Sequence, residues 1–346
     1  MRPAYLVLAI CAVTTMSQAA EYSIARASQD GVEIYVLKDP VRNLEVRVAP
    51  SLGNNSYQMT ANGKRVFYSP YQTLAELVAR PTQVGNPFLW PWANRIEGES
   101  YWFEGKKYLL NKELGNFRPD GNRNPIHGLL VFAKDWKVTR ATADAKSATL
   151  TSRLEFWRNP QWLAQFPFPH VVEMTYRLSD GALEVETQIE NLGNAAMPVS
   201  LGYHPYFQVN DAPRDEWKVT IAAKERMTLS PTLIPTGERT PTPYPTPVTL
   251  KGVALDDVFT TLVRGANGRA VFAVEGKNEK VAVEYGPNYP VAVIYAPPGR
   301  NFICFEPMTG PTNAFNAAHA GWYKELQTVP PGGRWKESFW IRTSGF

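Results

Sequence analysis

Five short segments set polar side chains among apolar or turn-forming neighbours. Asn94 and Arg95 lie in Pro91-Trp92-Ala93-Asn94-Arg95-Ile96, and His127 lies in Ile126-His127-Gly128. His204 is boxed by aromatics in Gly202-Tyr203-His204-Pro205-Tyr206-Phe207. Leu255-Asp256-Asp257-Val258-Phe259 contributes two carboxylates, and Glu306 ends the apolar run Phe302-Ile303-Cys304-Phe305. Burying such groups is costly unless they are paired, so they must meet one another or a ligand. A carboxylate and an imidazole sharing a pocket can take up and deliver protons near neutral pH. His127, His204 and Glu306 are also zinc-ligand types, but no paired-histidine helix motif or closely spaced ligand pair accompanies them. A single histidine among aromatics is more often a satisfied core residue. His170, on a strand pattern, reads that way.

Strands must position these groups, because the hydrophobic signal has period two along most of the chain. Val32 to Leu37, Leu44 to Val48, Ala148 to Leu154, His170 to Leu178 and Leu183 to Ile189 alternate in this way. So do Lys280 to Tyr285, Val291 to Tyr295, Phe302 to Phe305 and Trp335 to Arg342. Ser179-Asp180-Gly181 reads as the tight turn of a hairpin. Only Thr73 to Ala79 reads as helix. Pro and Gly are spread along the chain, as many short strands joined by turns require. The stretch from Pro231 to Pro247 reads as an ordered surface loop, since similar strands flank it. The alternative, a linker between two β domains, is permitted by length alone.

At the N-terminus, Arg2 precedes an apolar run from Ala4 to Thr15 that is short for a bilayer span, and small Ser17 and Ala19 follow. This pattern predicts a signal peptide over residues 1–20, cut after Ala19 or Ala20, and an exported, periplasmic or secreted product. Roughly 325 of the 346 residues remain, enough for one large all-β domain over 21–346 with a sizeable core. Of the two cysteines, Cys11 leaves with the signal. Cys304 then has no disulfide partner and reads as a buried thiol. The formal net charge is only +4 and no basic block exceeds two residues, so nucleic acid is not an expected partner. With no second long apolar segment, no membrane association is expected after cleavage.

From about Leu44 to Ile341 the chain resembles the aldose 1-epimerases, or galactose mutarotases. Gly85-Asn86-Pro87-Phe88-Leu89-Trp90-Pro91-Trp92-Ala93-Asn94-Arg95-Ile96 is similar to that family's Gly-x-Pro-x-x-x-Pro-x-x-Asn-Arg-Ile segment. His127-Gly128, His204-Pro205-Tyr206-Phe207, Glu306-Pro307 with Asn313-Ala314-Phe315-Asn316, and Leu326 to Gly332 resemble its later motifs, in the family's order. The resemblance implies a large antiparallel β-sandwich, the mutarotase-like supersandwich, with few short helices. It implies interconversion of the α and β anomers of a free aldohexose such as glucose or galactose. Glu306 then matches the general base and His204 the general acid, with His127 as the third catalytic-site residue. Arg95, Asn94 and Asp256 match substrate-binding positions, although adjacent Asp257 would face the other side of a strand and is the alternative to Asp256. Trp92, Tyr203, Tyr206 and Phe315 are candidates to stack on the sugar, or else to pack the core. No metal and no cofactor is expected, since ring opening needs only one proton removed and one delivered. Proximity of His204 to Glu306 is expected to favour an imidazolium beside a carboxylate. Two other readings remain open: a non-catalytic sugar-binding protein, and a same-fold hexose-6-phosphate epimerase, which would want a basic pocket.

Overall fold

The computed structural model describes residues 21–346; the expected signal segment lies outside them. Three antiparallel sheets carry the architecture, as the period-two pattern predicts. A five-stranded meander comprises Ser23–Gln29, Val32–Asp39, Leu44–Ala49, Asn55–Ala61 and Lys64–Arg65. A nine-stranded sheet runs, edge to edge, through Lys137–Ala143, Ala148–Glu155, His170–Ser179, Ala182–Asn191, Arg334–Ser344, Lys280–Tyr285, Ala270–Glu275, Lys218–Thr220 and Val248–Thr249. The eight-stranded sheet runs through Pro235–Pro241, Ala223–Leu229, Leu255–Leu262, Val291–Ala296, Ile303–Met308, Gly202–Tyr203 and Phe88–Leu89, with Tyr206–Phe207 also paired to Ile303–Met308. Among the described residues the α-helices are short: Leu74–Ala79, Pro160–Leu163 and Ala314–His319. The first begins one residue later than the sequence predicts, because Thr73 is its cap, with the Thr73 hydroxyl accepting from the Glu76 N–H at 3.2 Å.

The Ser179–Ala182 hairpin turns through Asp180 and Gly181, both with positive φ (48° and 67°), the type I′ geometry that Asp-Gly favours. The long last strand inserts between Ala182–Asn191 and Lys280–Tyr285, which ties the middle of the chain to its C-terminal part. One buried apolar cluster accordingly draws on residues from Tyr35 to Ile341. The stretch from Pro231 to Pro247 departs from the loop expectation: Pro235–Pro241 is the edge strand of the eight-stranded sheet, paired with Ala223–Leu229. An edge position tolerates prolines because one side of the strand makes no ladder hydrogen bonds. No described helix is long and apolar enough to cross a membrane.

The eight-stranded sheet has two unlike faces, and this positions the site. Ile303, Phe305, Ile294, Phe259, Tyr203 and Phe207 face the main core. The alternate residues Val258, Val291, Val293 and Met308 form a separate, smaller cluster on the opposite face. Glu306 belongs to that second face.

Candidate active site

His204 occupies the bend between two short strands, and both pair with Ile303–Met308. Gly202 opposes Met308, and Tyr206 opposes Cys304. The same antiparallel register sets His204 opposite Glu306, so two residues a hundred positions apart become cross-strand neighbours. His204 Nε2 lies 3.2 Å from Glu306 Oε1. On the other side of Glu306, Val293 is its ladder partner, and one strand further Asp256 opposes Tyr295. These side chains share the outward face and line a cavity of about 250 Å³ with Asn94, Arg95, His127 and Tyr206.

The other wall is built from turns. Asn94 and His127 both have positive φ (56° and 65°), a region that Asn and His visit more readily than most residues. The His127 N–H donates to the Asn94 carbonyl at 2.8 Å, locking the two turns together. Gly128 follows at φ 72°, and a Cβ there would stand 2.2 Å from the Trp90 carbonyl oxygen. Only glycine permits that approach, which brings His127 against His204 with ring centroids 5.3 Å apart. Arg95 is held from two sides. Its Nε donates to Asp120 Oδ2 at 2.6 Å and its Nη1 to Asn94 Oδ1 at 2.8 Å. Its carbonyl accepts from the Asn313 N–H at 2.8 Å, so the Asn313–Asn316 segment anchors the Arg95 turn.

Burial decides the protonation of the pair. It pushes the Glu306 carboxyl well above the carboxylate range, with Asp256 adding to the rise and Arg95 opposing it. Burial also pushes His204 down to about 3, and His127 well below the ordinary histidine range. Burial therefore works against the ion pair expected from proximity and favours the neutral forms, because desolvation penalises both charged partners at an enclosed site. Glu306 Oε2, His204 Nδ1 and His127 Nδ1 are buried without a partner among the described residues. Such unpaired groups at one cavity are positioned for a polar ligand.

Every residue predicted for the site lines this one cavity. Between the two aspartates, Asp256 faces it, whereas Asp257 is paired with Arg226 at 2.8 Å and Tyr244 at 3.2 Å. Of the four aromatic candidates Tyr206 lines the cavity, parallel to the His204 ring at 4.6 Å. Trp92, Tyr203 and Phe315 are fully buried in the main core. Tyr203 is excluded by strand alternation, since it points away from its neighbour His204. Sequence reasoning missed Tyr295, Gln83 and Asp120. Alternation from Asp256 across the sheet would have found Tyr295, but no local signal marks the other two. His170 is structural as expected: its Nδ1 donates to the Phe168 carbonyl at 2.6 Å and its Nε2 accepts from Trp90 Nε1 at 2.8 Å. Cys304 is a buried free thiol whose pKa burial pushes up, the inert state expected of it.

The aldose 1-epimerase family model matches residues 48–342. The uncharacterized protein YihR of Escherichia coli K12 is 26% identical over 234 residues, covering 66% of this chain and 70% of YihR. A galactose mutarotase-like protein from Clostridium acetobutylicum has the same fold, with a TM-score of 0.82 at 21% identity over 94% of this chain and 99% of its own. Galactose 1-epimerase from Lactobacillus acidophilus superposes with a TM-score of 0.73 at 15% identity, over 94% and 99% of the two chains. The match reaches from the third strand of the meander to the last strand of the nine-stranded sheet, and the chain belongs to the aldose 1-epimerase family.

Proposed function

We propose that the protein is a mutarotase that interconverts the anomers of a free aldohexose such as glucose or galactose. The carrying observation is the 3.2 Å contact between His204 Nε2 and Glu306 Oε1. In a cyclic aldose, the hydroxyl that loses a proton and the ring oxygen that gains one are bonded to the same carbon. Base and acid must therefore be neighbours rather than opposite walls, and the cross-strand pair meets that demand. Transfer of the shared proton from Glu306 to His204 creates the working forms, carboxylate and imidazolium. Glu306 then takes the proton from the anomeric hydroxyl while His204 protonates the ring oxygen. The bond from the anomeric carbon to the ring oxygen breaks as the carbonyl forms. Rotation about the adjacent carbon–carbon bond and the reverse steps give the other anomer.

His127, Arg95, Asn94 and Asp256 surround the pair and supply donors and acceptors for the remaining hydroxyls. A non-phosphorylated sugar is supported by charge: among the described residues Arg95 is the one cation lining this cavity, and Asp120 already pairs it. The decisive experiment follows freshly dissolved α-glucose and α-galactose by polarimetry or NMR exchange. Equilibration faster than buffer alone is expected. Buffer rates for both sugars with folded protein would overturn the reading for these substrates.

A further inference from the structure

The catalytic cavity is the first in a row of three neighbouring cavities. Gln83, Ile126 and His127 line it and also line a cavity of about 590 Å³. Asp135, Asn159 and Trp162 in turn border both that cavity and a third of about 260 Å³. The three spaces lie side by side in that order outward from His127, and the middle one alone exceeds twice the catalytic cavity (590 against 250 Å³).

Its lining is mixed in a way that selects a ligand class. Phe117, Phe132 and Trp162 provide apolar faces. Trp162 is set on a short helix whose cap is Asn159, and it packs on Phe156 with centroids 5.3 Å apart. Among the polar groups, Asn116 is oriented by Gln165, whose Nε2 donates to Asn116 Oδ1 at 2.7 Å, while Asn116 Nδ2 is buried without a protein partner. His127 Nδ1 is likewise unpaired. The lining carries the cations Arg118 and Lys134 against the carboxylates Asp120 and Asp135, with Asp120 held by Arg95, so the middle cavity has no cluster of unpaired cations to select an anionic ligand. Aromatic planes beside unpaired amide and imidazole nitrogens suit a pyranose ring, which has an apolar face and a rim of hydroxyls.

Resting on the mutarotase reading, we propose that the preferred substrate is the reducing end of a neutral oligosaccharide of two or three units. Its reducing ring occupies the catalytic cavity with a free anomeric hydroxyl, and the remaining one or two rings lie beyond His127 against Phe117, Phe132 and Trp162. The groove determines specificity; Glu306 and His204 perform the proton transfers.

The test compares glucose and galactose with maltotriose, cellotriose and β-1,4-galactotriose in NMR exchange. At least one trisaccharide is expected to show kcat/KM roughly tenfold above its monosaccharide, the gain of about one added stacking contact. Gln161→Trp, at an exposed position in the cavity wall, places a bulky ring in the middle cavity and narrows it, and is expected to remove that advantage. Monosaccharides accelerated and all three trisaccharides no better would overturn the groove and leave the mutarotase reading standing. A trisaccharide advantage unchanged in folded Gln161→Trp would also overturn it. Acceleration of no sugar at all would instead sink the mutarotase reading, and the groove is then judged by titration of the wild-type protein. Trisaccharide binding roughly tenfold tighter than monosaccharide would uphold the groove, and equal or absent binding would overturn it.

Discussion

Replacing Glu306 by Gln separates the chemistry of the pair from its contribution to the fold. The side chain stays nearly isosteric, but its amide nitrogen can take the place of Oε1, 3.2 Å from His204 Nε2. There it donates to the imidazole and holds the ring with its proton on Nδ1. The base is then gone, and the amide, unlike the carboxyl group, cannot hand its proton to Nε2, so both proton transfers fail. Loss of one general acid or base costs about 10²–10⁴ in rate. Disabling both places the loss near the top of that range, about 10⁴ in kcat, or about 5.4 kcal/mol of transition-state stabilisation. Stability behaves differently. Burial keeps the Glu306 carboxyl protonated, so an amide exchanges one neutral polar group for another and is expected to cost about 1 kcal/mol or less. Were the pair ionised, removing one partner would strand a buried charge at a cost of about 3–5 kcal/mol. Saturation-transfer NMR for rate, a binding titration and thermal unfolding together read the outcome. Expected are a lost rate, sugar binding that is still measurable and a melting temperature within a few degrees of wild type. A kcat within tenfold of wild type would refute the base assignment, and a melting temperature lowered by ten degrees or more would refute the neutral pair.

Further expectations follow from the same geometry. Gly128→Ala forces a side chain into left-handed backbone and 2.2 Å from the Trp90 carbonyl oxygen, so it is expected to destabilise by about 3 kcal/mol or more in urea unfolding; a midpoint equal to wild type would contradict the close approach. Asp120→Asn removes the carboxylate that holds Arg95 Nε at 2.6 Å and is expected to lower kcat/KM roughly tenfold, chiefly through KM; a change confined to kcat would show that Arg95 is not a binding group. His170 and His204, both lowered from 6.5 to about 3 by burial, are neutral in the fold and accept protons on unfolding below 6.5. Their contribution is therefore lost as pH falls from about 6.5 towards 3, and a urea midpoint that stays flat from pH 7 to 4 would contradict it. The kcat/KM profile is expected to show no histidine inflection at the ordinary value of 6.5, because burial lowers His204 to about 3.

Much of the fold is legible locally because a half-buried strand writes its own alternation. Lys280–Tyr285 is recovered at both ends, and Asp180-Gly181 specifies its hairpin through backbone conformation alone. The edge strand Pro235–Pro241 was not legible, since its prolines read as loop and its pairing with Ala223–Leu229 is a tertiary fact. Within the site, residue types and motif order were enough to nominate Arg95, His127, His204, Asp256 and Glu306. Their neighbours were not: Asp120 reaches Arg95 from a turn that carries no pattern of its own.

The sequence by itself determined an antiparallel β fold, a membership and a short set of proton-handling and hydroxyl-binding residues, because alternation, turn chemistry and motif order are local properties of the chain. Tertiary structure decided the rest. Strand register brought His204 opposite Glu306, and pleating turned Asp256 into the cavity while it turned Tyr203 into the core. Burial then worked against the expected charges of the pair, since desolvation depends on everything packed around a group and not on the residues beside it in sequence.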